Sequence, residues 1–363
     1  MKDDLLSRYL SNFLFVQIAL VQLFSRFPNL VEKYYSNGVY KAISVFYRSS
    51  LGWIPFSIGD LLYIGFGVFF IRFIYVLFRD KLSELRSYRL SIGGTLSVLY
   101  FFFYFSWGMN YYRIPLATKL KLEKQAYTTA QLNAFTLKTT AHINKLHLAV
   151  VDNDSLAYIV PYSRKEIYKM AKSGYDELSK SQTSFKYRVR SVKNSLLSVP
   201  LTYMGFAGYL NPFTGEAQVN SKIPKYILAC TVSHEMAHQI GYAAENEANF
   251  IGYLACVSHT DIYFKLAGHI TALRYLLSEL YKRDKELYQT VINNINPGIL
   301  VNLQESNVFW SQYKNPFEPY FKKSYSVYLK ANQQKSGIKS YSYMVDLLVH
   351  YNNDNKNTSV VYK

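Results

Sequence analysis

Leu90 to Tyr112 runs for 23 residues without a charged side chain, and no other stretch limits the fold of this chain as tightly. A bilayer's hydrocarbon core is ~30 Å thick and takes ~20 residues of helix to cross. Leu61 to Phe78 is nearly all apolar as well, with Arg72 its only charge, placed toward the basic end where a long side chain can snorkel to the headgroups. Tyr9 to Ser25 is a third uncharged run, 17 residues long and weakened by Gln17 and Gln22. A basic residue precedes it, but no small-x-small cleavage pattern follows, so it reads as a retained helix rather than a leader. The competing reading is three buried core helices. The expectation is an anchor over residues 1–112, with transmembrane helices at about 9–27, 58–78 and 90–110, then a second domain over 113–363.

Orientation follows from basic residues in the short loops. Lys2 and Arg8 precede the first run, and Arg79, Lys81, Arg86 and Arg89 crowd the loop between the second and third. Lys33, Lys41 and Arg48 are spread over the longer first loop. The bias puts the N-terminus in the cytoplasm and everything after Arg113 outside it, in a bacterial inner membrane with a periplasmic or surface domain. Trp107, Tyr111 and Tyr112 fit an interfacial aromatic belt at the outer end of the third run. The net charge of +17 does not signal nucleic acid, because the lysines are scattered and no nucleic-acid motif is present. Two cysteines make no disulfide framework, and a Cys230–Cys256 bridge is not expected.

The chemistry is concentrated in His234-Glu235-Met236-Ala237-His238. Residues four apart share one helix face, so two imidazoles can converge on one cation while Glu235 reaches a water bound there. Two nitrogens and a carboxylate suit Zn²⁺ and leave a fourth position open, the mark of a catalytic site. The other reading is a buried structural His pair. Glu245 follows the second His by seven residues. On one continuous helix it would lie ~10 Å along the axis from His238, too far for a shared ion. The chain should therefore turn at Gly241-Tyr242-Ala243-Ala244 and send a second helix back against the first. Ala248, Gly252 and Cys256 continue the Glu245 stripe with small side chains that permit close approach. The favoured ligands are His234, His238 and Glu245, with Glu247 the alternative third. Asn249, four residues after Glu245, is expected to hydrogen-bond the outer nitrogen of a ligating His.

The HExxH followed closely by Glu245-Asn246-Glu247-Ala248-Asn249 resembles the gluzincin group of zinc peptidases. There a downstream Glu is the third ligand, and an Asp or Asn four residues later supports the first His; Glu245 and Asn249 match and Glu247 does not. The gap from His238 to Glu245 is shorter than in most gluzincins. The whole chain also resembles an uncharacterised bacterial family of membrane proteins regarded as zinc peptidases. The shared stretches are Trp53-Ile54-Pro55-Phe56-Ser57-Ile58-Gly59-Asp60, Gly208 to Ala217, the HExxH region and Tyr343-Met344-Val345-Asp346-Leu347-Leu348. The resemblance implies a zincin-like, helix-rich domain, so the expected fold is mainly α with a small β element behind three membrane helices. It also implies a strand bordering the cleft ahead of the active-site helix. Gly215, Glu216, Ala217, Gln218 and Val219 are candidates for a strand that pairs with extended substrate, against the alternative of an ordinary hairpin packed on that helix.

Further helices are expected over Thr128–Leu148, capped by Thr128 or Thr129, over Ser163–Lys180, over Asp261–Tyr288 and near the C-terminus, with a frayed polar tail from Asn352. The reading is a membrane-anchored zinc metallopeptidase acting on a peptide or protein. Its rival is a zinc-binding membrane sensor or binding module without turnover. An oxyanion donor is needed, but 35 tyrosines offer no choice among themselves. Substrate identity and oligomeric state are not encoded in any motif.

Overall fold

The structure, a computed structural model, describes residues 2–79, 85–122, 126–334 and 343–353. Lys81 of the basic loop and residues 354–363 of the expected polar tail lie outside the described residues. The N-terminal part begins with α1 (Lys2–Phe24). Pro28, whose missing N–H suits a first turn, opens α2 (Pro28–Leu30), and a π-helical stretch (Val31–Val39) leads into α3 (Tyr40–Leu51). The axis bends by 95° between α1 and this Pro28–Leu51 arm. Then come α4 (Ile58–Arg79), α5 (Leu85–Ser106), a 3₁₀ turn (Gly108–Tyr112) and α6 (Leu116–Lys119).

All three apolar runs are helical, but they differ as membrane spans. Among the described residues, α4 alone is long and apolar enough to cross a bilayer, and α1 with the Pro28–Leu51 arm qualifies only as one broken span. The expectation of three spans therefore reduces to one or two by length and composition. The reason in α5 is that the 23-residue run is divided. The helix ends at Ser106, and Gly93, Gly94, Thr95 and several tyrosines dilute what remains. α4 is bare, with only 6% of its apolar window buried. α1 and α5 pack along each other. Ser11 Oγ donates to the Leu90 carbonyl and Gln17 Nε2 to Ser97 Oγ, both at 2.8 Å. Because both partners advance together, the two helices run parallel.

The remainder is built from α7 (Thr129–Leu148), α8 (Arg164–Ser181), β1 (Val192–Asn194), α9 (Ser198–Met204), β2 (Gly208–Leu210), β3 (Ala217–Val219), α10 (Lys225–Gln239), α11 (Glu245–Ser258), α12 (Ile262–Arg283), α13 (Lys285–Asn293), α14 (Pro297–Gln312), α15 (Glu318–Ala331) and α16 (Tyr343–Asn353). Thr128 and Ser163 start α7 and α8 with reciprocal capping boxes to Gln131 and Glu166. Asp261 caps α12, and Asp284 ends the helix expected to run to Tyr288 and caps α13. α10 is the centre of the fold. It packs on α8, α11 and α12 and carries β2 and β3 on another side, so nearly all of its residues are buried.

The sheet order is β1-β3-β2, with β1 parallel and β2 antiparallel to β3. This corrects the assignment of Gly215, Glu216, Ala217, Gln218 and Val219 to a substrate strand. β3 is the middle strand, with Ala217, Gln218 and Val219 paired to Val192, Lys193 and Asn194 on one side and to Leu210, Tyr209 and Gly208 on the other. Gly215 (φ +64°) sits in the turn before it, and Glu216 is fully buried. No backbone edge is left there for a peptide. The sheet's open edge next to α10 belongs to β2.

Candidate metal centre

His234 and His238 project from one face of α10 with ring centroids 4.6 Å apart. With Glu235 they bring ligand atoms within 4.8 Å of one another, a cluster that could hold a metal ion. The turn after α10 is as the sequence requires. Gly241 takes φ +90°, and a Cβ there would meet the Tyr40 ring at 2.9 Å and Asn110 Oδ1 at 3.0 Å. α11 then begins at Glu245 and returns along α10. The Glu245 carboxylate places Oε2 3.4 Å from His234 Nε2 and Oε1 3.5 Å from His238 Nε2. Tetrahedral zinc ligands with bonds of 2.0–2.1 Å stand roughly 3.4 Å from each other, so the donor set fits that ion.

Close approach of the two helices depends on Gly252. Its ideal Cβ would lie 2.8 Å from His234 N and 3.0 Å from His234 Cα. Gly252→Ala is expected to push α11 off α10 and cost about 1–3 kcal/mol of stability through overpacking. A thermal melt on the full chain measures it.

A hydrogen bond orients His238 but not His234. His238 Nδ1 lies 2.7 Å from the Tyr242 carbonyl, which fits a proton on that nitrogen and leaves Nε2 as the donor atom. Asn249 does not take the role expected of it. Its Nδ2 donates back to the Glu245 carbonyl at 2.8 Å, an acceptor one turn behind it on its own helix, while buried His234 Nδ1 has no hydrogen-bond partner. Glu247 is buried and turned away, accepting the Leu116 N–H of α6 at 2.6 Å. Burial raises its pKa against that bond and the nearby Arg113. The geometry thus brings Glu245, and not Glu247, to the histidines.

Electrostatics follow from the same contacts. Burial opposes charge on both partners, yet the two imidazoles hold the Glu245 carboxyl well below its usual range. Burial likewise works against a charged His238, and the Glu245 carboxylate outweighs it, raising the pKa to about 9. Glu235 is pushed up by burial, with the two histidines pulling the other way. Its Oε2 is buried without a hydrogen-bond partner. Gly208 of edge strand β2 abuts this group, since a Cβ there would come within 2.8 Å of Glu235 Oε1.

Two supports escape any reading of the sequence. Tyr325 on α15 donates to Glu245 Oε1 at 2.6 Å from 80 residues away. At the other end, carbonyls in the last turn of α10 accept hydrogen bonds from side chains of the N-terminal part. Tyr40 Oη donates to Gln239 O at 3.0 Å and Ser44 Oγ to the same oxygen at 2.7 Å, while Trp107 Nε1 reaches His238 O at 3.3 Å. Arg113 binds Glu32 through two nitrogens, at 2.9 and 2.8 Å, and donates to the Gly241 carbonyl at 2.7 Å. Residues on both sides of position 112 therefore hold the turn between the ligands. Cys230 and Cys256 are free thiols buried where α10 and α11 meet.

A family model described as "Protein of unknown function (DUF3810)" matches residues 35–349. The chain belongs to the DUF3810 family. No curated protein and no solved structure matches it. The DUF3810 match runs from the π-helical stretch ahead of Tyr40 into α16. It takes in α4, the sheet, both histidines, Glu245 and Tyr325.

Proposed function

We propose that this DUF3810 chain is a membrane-anchored zinc metallopeptidase. The observation that carries the reading is the Glu245 carboxylate lying against both imidazole Nε2 atoms, beside a buried Glu235 oxygen with no protein partner. His234, His238 and Glu245 would hold the zinc, which when bound polarises a scissile carbonyl and acidifies a water. Glu235 takes the proton of the attacking water and delivers it to the leaving amine. The open edge of β2, whose Gly208 leaves room above Glu235, supports an extended peptide by backbone pairing. Tyr325 supplies a phenolic donor at the ligand carboxylate.

Anchoring rests on α4, on the exposed apolar sides of α1 and α5, and on their parallel course. Two parallel helices need a return crossing between them, and α4 is the segment that supplies it. With the basic bias of the N-terminus and the second loop, this supports a metal centre outside the cytoplasm of a bacterial cell.

Zinc content of the purified full chain tests the metal. One zinc per chain, absent from His234→Ala, is expected. Well-folded protein that takes up no zinc even when supplied with it would overturn the proposal. The full chain is the right sample, because Tyr40, Ser44 and Trp107 complete the turn at the site.

A further inference from the structure

One exposed side of α15 is unusually apolar for a surface. Phe317, Tyr320, Phe321 and Val327 are exposed, at 68, 71, 40 and 60%, with Tyr320 and Phe321 three and four residues after Phe317 and Val327 seven after Tyr320. Lys314, Lys323 and Lys330 are interleaved with them, while Lys322 is ion-paired with Glu318, the single carboxylate of that stretch. Isolated apolar side chains on a surface need no explanation, but an aromatic stripe flanked by lysines is the composition of a helix lying in a headgroup layer.

Its position in the fold is the second observation. α15 lies across the ends of the candidate membrane helices. At its C-terminal end the Tyr328 ring packs edge-on against Phe103 near the end of α5, with centroids 6.1 Å apart. Tyr111 donates to Tyr328 Oη at 3.2 Å, and Tyr104 Oη to Asn332 Oδ1 at 3.0 Å. At its N-terminal end it packs on α9, and Asn315 donates to the Tyr203 carbonyl at 2.7 Å. α9 follows directly on Leu196, whose N–H is bound by Asp60 in the first turn of α4 at 2.8 Å. α15 thus meets the exit of α5 directly and is linked to the entry of α4 through α9, the level at which both would cross the lipid surface.

We propose that α15 rests on an anionic lipid surface, its aromatic stripe sunk among the headgroups and its lysines paired with their charge. This rests on the anchoring half of the function proposed above and not on peptidase activity. The same helix presents Tyr325 to Glu245, so the metal centre would lie one helix away from the bilayer.

Depth-dependent quenching on the full chain tests this. Single cysteines at Tyr320→Cys and Val327→Cys carry a fluorescent probe, with Val68→Cys on α4 as an embedded reference and Gln289→Cys on α13 as an exposed one. Cys230 and Cys256 are buried, and the unsubstituted chain reports any labelling there. The protein is placed in nanodiscs of phosphatidylcholine and phosphatidylglycerol, with or without lipid spin-labelled near the headgroup or in mid-chain. Expected is at least ~2-fold quenching at 320 and 327 by the headgroup label, quenching at 68 by the mid-chain label, and none at 289. Quenching at 68 with none at 320 or 327 overturns the proposal and leaves the anchor standing. No quenching at 68 removes the anchor and the proposal together.

Discussion

Glu235→Gln is expected to bind one zinc per chain as the parent does and to lose turnover by about 10²–10⁴-fold, the range of a positioned general base. The separation follows from geometry. The Glu245 carboxylate contacts both imidazoles, so removing the charge of Glu235 takes nothing from that ligand set. The amide also keeps the volume that fits under Gly208. Metal analysis and hydrolysis of a quenched-fluorescent peptide library report the two properties independently. Activity near that of the parent would sink the assignment of Glu235.

The same variant separates a peptidase from a zinc-binding sensor. A sensor needs His234, His238 and Glu245 but has no use for a carboxylate whose second oxygen is buried without a partner. Leaving such a group unpaired is costly, so its retention favours a role that uses the free oxygen. A parent chain that binds zinc and cleaves no peptide, with Glu235→Gln indistinguishable from it in every assay, is the outcome that favours the sensor.

What the sequence carried was local. The spacing of His234 and His238, the glycine at 241 and the small residues of α11 all act within about 20 residues, and helix periodicity is enough to read them. They led to a reversed second helix and to Glu245 at its first position, where the structure puts it. The misreading of the strand came from a contact made farther along the chain, and that of Asn249 from a local one. β3 looked like a free strand because the pairing that encloses it comes from Val192–Asn194, which a local pattern does not announce. Asn249 has the right face and spacing, but a carbonyl on its own helix is the nearer acceptor. Tyr325, Tyr40 and Trp107 reach the site across 80 to 199 positions, and nothing marks them among so many aromatic residues.

Lys193→Ala is expected to destabilise the full chain by about 3–5 kcal/mol, because it strands a charge in the interior. Glu216 is fully buried and forms an ion pair with Lys193 Nζ. The lysine also donates to the Leu51 carbonyl at 2.8 Å. The carboxylate has further work at the start of α4, where Oε2 accepts the Gly59 N–H at 2.5 Å and the Thr214 hydroxyl at 2.9 Å, and Oε1 accepts the Ile58 N–H at 3.3 Å. Those N–H groups have no partner within their own helix, so a carboxylate there suits both their hydrogen bonds and the helix dipole. One buried pair thereby joins β1, β3 and the first turn of the candidate membrane helix. Replacing both partners by apolar residues, Lys193→Met with Glu216→Leu, should recover part of the loss but not all, since the cap on α4 goes with Glu216. Denaturation of the detergent-solubilised chain, with Lys193→Met and Glu216→Leu made singly and together, gives three differences and their coupling. A loss below about 1 kcal/mol in Lys193→Ala would mean that water reaches this pair, and with it the face of the sheet that the fold otherwise closes to substrate.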